Sequence, residues 1–142
     1  MPLPDYDRKA ILERFIREVW SDGRLDAVDA YLGRSYTIYH DPGDPWEGRT
    51  LTLDESKERA RVSRAPFPDQ RFELQHLFAD GNAVVATWLW AGTHMRDLPS
   101  FAATGRRITT SGATVYYFEG DRLVGHWQIV DRLTIFQQLR SM

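Results

Sequence analysis

Side chains that can carry protons or form hydrogen bonds are concentrated near the end of the chain, in residues 125–131. His126, Gln128 and Asp131 lie within six residues of one another. An imidazole, whose ordinary pKa is about 6.5, can take up or release a proton at neutral pH. Because side chains alternate across a strand, His126 and Gln128 would share one face, and Trp127 and Asp131 the other. The sequence does not decide which face lines a cavity.

Two further histidines and the aspartate each have a catalytic and a structural interpretation. His94 ends a long apolar stretch, and His40 ends a short aromatic one. Like His126, each is either a general acid or base or a hydrogen-bonded structural residue. Asp131 is either a base whose pKa is raised by burial or the N-cap of a following helix. The histidines lack the close spacing of a metal-binding motif, so we expect no metal site.

The composition indicates one globular domain, residues 1–142, that is rich in aromatic residues. Phe, Trp and Tyr make up 13% of the chain, which suits both a core and an apolar pocket. There is no cysteine, so disulfides and thiolate chemistry are excluded. The net charge of −2 gives no electrostatic footprint for nucleic acid or for an anionic membrane. With neither a signal peptide pattern nor an apolar run of about 20 residues, we expect a soluble cytoplasmic protein.

Apolar periodicity and capping residues predict three helices in the first half of the chain. The first would run from Asp5 until Gly23 stops it, and a shorter second one would cover 25–32. Thr52 to Glu55 has the spacing of a capping box, so a third helix should begin there and end before Pro66. Its apolar content is thin, so we expect it on the outside, touching the core along a narrow seam.

The second half of the chain has the alternation of strands. A short strand at 36–40 precedes the third helix, and longer ones follow at 71–78, 83–94, a segment that ends at Phe118, and 123–131. Helices followed by a meander of antiparallel strands predict an α+β fold. A strongly curved antiparallel sheet wrapped around the N-terminal helices would form a conical cavity.

Several motifs, in this order and spacing, resemble the SnoaL-like polyketide cyclase and ester cyclase family of the nuclear-transport-factor-2-like superfamily. They are Phe67-Pro68-Asp69, Gly92-Thr93-His94, Ala103-Thr104-Gly105-Arg106, the hairpin from Phe118 to Leu123, His126-Trp127, Asp131 and Gln137-Gln138-Leu139. The resemblance implies a cystatin-like α+β barrel with the ligand inside, dimeric or tetrameric, using neither a metal nor an organic cofactor. The cyclases of that family close a polyketide ring by an aldol step in which a carboxylate removes a proton from an activated carbon.

One position departs from that pattern. The acid/base aspartate of the ring-closing cyclases lies two residues after the histidine that matches His126, and Gln128 stands there in this chain. Because an amide does not exchange a proton at physiological pH, the family's aldol route is in doubt. The expected function is therefore cofactor-independent proton transfer, of lyase or isomerase type, on an apolar, polyketide-like carbonyl compound. The alternatives are a non-catalytic small-molecule binding protein that uses the same cavity, and an assembly module in which the cavity is incidental.

Two groups of candidate residues follow from this reading. The possible acid/base groups are His94, His126, Asp131 and His40. The expected substrate-binding residues are Trp88, Trp90, Tyr116, Gln128, Phe67 and Trp127, with Tyr116 and Gln128 as hydrogen-bond donors to an enolate oxygen.

The strand at 83–94 also predicts an oligomer. It is apolar on both faces, and the helices can cover only one of them. Since monomers rarely expose a large apolar patch, we expect a homodimer or a higher homo-oligomer.

Overall fold

The computed structural model describes residues 5–141. Helix α1 (Asp5–Phe15) continues as a π-helical segment (Ile16–Ser21), and a 3₁₀ turn (Leu25–Ala27) leads into the short α2 (Val28–Tyr31). The first predicted helix is confirmed, since it stops just before Gly23, whose φ of +75° suits a residue without a Cβ. None of the helices within residues 5–141 is long and apolar enough to cross a membrane.

Helix α3 (Leu53–Arg64) follows strands β1 (Leu32–His40) and β2 (Thr50–Leu51). The predicted capping box is confirmed: the hydroxyl of Thr52 accepts from the Glu55 N–H, and the Glu55 carboxylate accepts from the Thr52 N–H. The buried seam of α3 is narrow, as expected, but two of its three residues are polar, namely Ser56 and Arg59 beside Ala60. The helix therefore brings polar groups to the interior as well as covering it.

Six strands form one sheet in the order β2-β1-β6-β5-β4-β3. The remaining strands and the last helix are β3 (Arg71–Asp80), β4 (Ala83–Thr93), β5 (Arg107–Glu119), β6 (Arg122–Val130) and α4 (Arg132–Arg140). The α+β fold with a curved sheet is confirmed, although the sheet does not close into a complete barrel. One detail differs from an antiparallel meander, because β1 pairs with β6 in parallel.

The concave face of the sheet packs against α1 and its π-helical extension. Leu12 and Val19 from the helix and Val84 and Ala86 from β4 are almost completely buried. Trp88 lies across Gly112 on β5, where a Cβ atom would be only 2.4 Å from the indole ring. Only glycine therefore allows this ring to lie flat along the sheet and form part of the inner wall.

Candidate active site

The concave face of the sheet and the surrounding helices enclose a cavity of about 930 Å³. That volume is typical of sites for small organic molecules. The cavity face of β6 carries His126 and Gln128, whereas Trp127 and Ile129 point outward and are 41% and 45% exposed. The predicted alternation of side chains along this strand is confirmed, and the fold places the face with His126 and Gln128 towards the cavity.

Asp41, which follows β1 directly and is completely buried, lies behind the polar part of the cavity wall, which includes His126, Gln128 and Arg59. One carboxylate oxygen, Oδ2, accepts hydrogen bonds from His126 Nε2 at 2.9 Å, Gln128 Nε2 at 3.1 Å and Arg59 Nη2 at 3.3 Å. The other, Oδ1, accepts from Arg132 Nη2 at 3.2 Å. Four donors from α3, β6 and α4 therefore converge on one carboxylate.

These donors keep Asp41 ionised. Burial by itself raises the pKa of the carboxyl, but the hydrogen bond from His126 and the charges of Arg59 and Arg132 outweigh burial and lower the pKa below its usual value. An ionised carboxylate can only accept hydrogen bonds. Its neighbours must therefore supply all the hydrogens in this cluster.

His126 connects Asp41 to the cavity wall. Because Asp41 is an acceptor, His126 Nε2 carries the hydrogen, and Nδ1 is left to accept from the Tyr36 hydroxyl at 2.7 Å. Burial lowers the pKa of His126, and the hydrogen bond to Asp41 opposes that shift only in part. The result is a neutral imidazole with both ring nitrogens occupied, in the order Tyr36, His126, Asp41.

A second hydrogen-bond chain fixes the amide of Gln128. Its Oε1 accepts from the hydroxyl of Thr114 at 2.7 Å, and that hydroxyl accepts from Trp88 Nε1 at 3.0 Å. The amide NH₂ group is consequently held towards Asp41. One of its two hydrogens binds the carboxylate, which leaves the second for another acceptor.

Five of the six expected substrate-binding residues lie at the cavity: Trp88, Trp90, Tyr116, Gln128 and Phe67 line it together with His126. Trp127 does not, since it lies on the outer face, where its ring stacks on His40 with centroids 4.5 Å apart. Aromatic rings thus form a large part of the inner wall, and Trp127 belongs to the opposite surface.

Three of the expected acid/base residues lie away from the cavity wall. His94 is completely buried behind Phe67, where Nδ1 accepts from the Thr104 N–H at 3.2 Å. His40 is partly exposed on the outer face. Asp131 is the N-cap of α4, accepting from the Thr134 N–H at 3.1 Å. His126 is the one member of that group at the cavity.

Four residues of this cluster were not among the candidates predicted from the sequence: Tyr36, Asp41, Arg59 and Arg132. Asp41 lies between the predicted strand at 36–40 and the third predicted helix, and Arg59 lies in that helix, which was expected on the outside. A weak pattern was present for Arg59, which directly precedes Ala60, one of the few apolar residues of this helix, and is buried with it. No local pattern in the sequence marks Asp41.

Asp131 gives the first testable prediction. Replacing it with Ala removes the acceptor for the first turn of α4, and we expect the melting temperature to fall by a few degrees. Asp131→Asn keeps an N-cap acceptor and should lower it much less. Thermal unfolding of both variants checks this. An equal loss of stability in Asp131→Asn and Asp131→Ala would mean that the charge, not the cap, matters.

Comparison with known proteins places the chain in a family. The sequence profile of the SnoaL-like polyketide cyclases matches residues 10–139. No curated protein matches the sequence. A solved structure of a proposed polyketide cyclase from Acidithiobacillus ferrooxidans is 60% identical, with 94% of each chain covered and a TM-score of 0.91.

More distant solved structures share the fold. TsrD from Streptomyces laurentii is 19% identical over 99% of both chains, with a TM-score of 0.82. A SnoaL-like polyketide cyclase from Agrobacterium tumefaciens is 20% identical over 93% of this chain and 97% of its own, with a TM-score of 0.75. With the profile matching nearly the whole sequence, the chain belongs to the SnoaL-like polyketide cyclase family.

Proposed function

We propose that the cavity catalyses cofactor-independent proton transfer on an apolar carbonyl compound, and that the Tyr36 hydroxyl is the group that contacts the substrate. One observation carries this proposal. Both ring nitrogens of His126 are occupied, Nε2 by the buried Asp41 and Nδ1 by Tyr36, which lines the cavity. A substrate therefore reaches the imidazole through Tyr36.

The proton moves in one relay. The carbon next to the substrate carbonyl loses its proton to the Tyr36 oxygen, while the Tyr36 O–H proton passes to His126 Nδ1. The electrons of the broken C–H bond form an enolate, and the imidazolium that results lies against the Asp41 carboxylate. The second amide hydrogen of Gln128 and the hydroxyl of Tyr116 are the donors for the enolate oxygen.

The relay has two features of an acid/base site. Burial raises the pKa of Tyr36 well above its usual value, so the phenol keeps its proton until a base accepts it. The lowered pKa of His126 keeps the imidazole neutral and able to accept that proton. Asp41 then stabilises the charged imidazole, much as a buried aspartate does in a hydrolase triad.

The lining of the cavity supports an apolar substrate. Around the polar cluster the cavity is lined mainly by rings and aliphatic side chains, including Phe67, Phe72, Trp88 and Trp90. Such walls favour a flat, uncharged compound. The relative that is 60% identical is described as a proposed polyketide cyclase, which supports a polyketide-like substrate.

Deuterium exchange tests the proposal. We expect the protein to accelerate exchange of the C1 protons of 2-tetralone, a bicyclic apolar ketone, in deuterated buffer followed by NMR. Quenching of tryptophan fluorescence reports binding separately, because Trp20, Trp46, Trp88 and Trp90 line the cavity. Binding without accelerated exchange would contradict catalysis and favour the alternative, a non-catalytic binding protein.

We also propose that the protein is a homodimer or a higher homo-oligomer. On the convex face of the sheet, Leu89, Trp127 and Ile129 are each more than 40% exposed, and Tyr39 and Phe78 more so. A second copy is expected to cover this surface. Light scattering should give at least twice 16.5 kDa at micromolar concentration, and Ile129→Lys should lower that mass. A monomeric wild type would refute the proposal.

A further inference from the structure

Helix α3 presents two polar side chains to the cavity that the proton relay does not use. Ser56 and Arg59 are one turn apart on the same helical face, both line the cavity, and each is only 8% exposed. Within residues 5–141, neither Ser56 Oγ nor Arg59 Nε has a hydrogen-bond partner. Buried polar atoms are nearly always paired, so two unpaired ones on side chains that line a cavity indicate a missing partner.

The guanidinium of Arg59 is held in place by its other contacts. Nη2 donates to Asp44 at 2.9 Å and to Asp41 at 3.3 Å. The guanidinium carbon lies 5.4 Å from the centre of the Trp20 ring, in a cation–π contact. These contacts fix the guanidinium and leave Nε unpaired. A ligand would therefore meet a donor whose position is already set.

The charges around this position decide which kind of ligand atom fits. The cations of Arg59 and Arg132 are balanced by the carboxylates of Asp41 and Asp44. An additional buried anion would disturb that balance, whereas a neutral oxygen would not. Arg59 Nε can only donate, and the Ser56 hydroxyl can donate or accept. The fitting partner is thus a carbonyl or hydroxyl oxygen.

We infer that Ser56 and Arg59 form a second polar subsite, which binds a neutral oxygen of the substrate remote from its reacting carbonyl. This inference rests on the proposed function, and it narrows the substrate to a ketone that carries a further oxygen on its ring system. Because Arg59 and His126 both bind Asp41, the subsite adjoins the proton relay. Two polar anchors would orient an otherwise apolar ring and select the carbon that faces Tyr36.

The test compares 2-tetralone with its 6-hydroxy and 7-hydroxy derivatives by quenching of tryptophan fluorescence. In the wild type at least one hydroxylated compound should bind about tenfold more tightly than 2-tetralone, the effect of one good hydrogen bond. In Ser56→Ala the ratio of the two affinities, hydroxylated compound to 2-tetralone, should fall towards one. In Ser35→Ala, the same change at an exposed position on β1 that does not line the cavity, the ratio should be kept.

Two further measurements complete the test. Ser56→Ala should not lower the melting temperature, because the hydroxyl it removes has no partner within the chain. Arg59→Lys, which keeps the positive charge but lacks Nε–H, should also reduce the ratio. A ratio near one in the wild type, or one unchanged in Ser56→Ala, would overturn the inference. Since the ratio comes from binding alone, it can hold even if deuterium exchange fails, so the two proposals are separable.

Discussion

Replacing Tyr36 with Phe should abolish most of the deuterium exchange, reducing its rate by about 10²- to 10⁴-fold, the usual contribution of general acid–base catalysis. The ring stays in the cavity wall, but the hydroxyl that connects substrate and His126 is gone. The same change loses one buried hydrogen bond, so stability should fall by only about 1 kcal/mol. NMR measures the rate of deuterium exchange, and unfolding in urea measures the stability.

Substitution of His126, the hydrogen-bond partner of Tyr36, tests whether the two residues act together. His126→Gln can still donate to Asp41 but cannot carry a proton, so exchange should fall to a similar level. If Tyr36 and His126 act as one unit, the double variant should be no slower than either single variant. Multiplied losses in the double variant would show that the two residues act independently.

A matched control comes from Tyr31, another buried tyrosine. Its hydroxyl bonds to Glu18, and its ring does not line the cavity. Tyr31→Phe should cost similar stability and leave exchange unaffected. If Tyr31→Phe lost as much exchange as Tyr36→Phe, the loss would reflect weakened structure, and the relay would be excluded.

The pH profile should identify the group that accepts the proton. The pKa of His126 is lowered, so the neutral, basic form persists to more acidic pH than in a free imidazole. Exchange should therefore decline on the acid side with a midpoint below about 6.5. The decline should be absent from the residual rate of His126→Gln.

Asp41→Asn should cause the largest loss of stability, about 3–5 kcal/mol. It removes the carboxylate that accepts from His126, Gln128, Arg59 and Arg132, and it leaves buried positive charge without its main partner. An amide at this position also adds a donor group among four donors. The free energy of unfolding in urea at pH 7 measures the effect.

The control for Asp41 is Asp29, whose ion pair with Lys57 lies at the surface. Because exposed ion pairs are screened by water, Asp29→Asn should leave unfolding nearly unchanged. Equal losses in the two variants would contradict the central role given to Asp41.

Acid should destabilise the wild type through the same cluster, and the sign follows from the two lowered pKa values. A lowered folded-state pKa of Asp41 gives stability that is present above its unfolded value, about 3.9, and is lost as pH falls through the folded value. Neutral, buried His126 adds a loss that begins below about 6.5, where only the unfolded chain takes up the proton. Both effects lower stability on acidification.

Local patterns were enough to predict most of the elements. The capping box at Thr52 and the strand at 83–94 depend only on neighbours in the chain, and both are present in the structure. The same alternation correctly grouped His126 with Gln128. It could not choose the inward face, since that depends on which side of the sheet the helices cover.

The cluster of Tyr36, His126 and Asp41, which we propose as a proton relay, depends on contacts between distant parts of the chain. Tyr36 and Asp41 are 90 and 85 residues from His126, and they meet it because β1 pairs in parallel with β6. A buried carboxylate takes its role from the donors that converge on it, and these come from α3, β6 and α4. The sequence alone determined the strands, helices and family resemblance, because they arise from periodicity and motif order. Only the tertiary structure decided that Asp41, and not Asp131, is the carboxylate bound to His126, because strand register and helix packing bring its donors together.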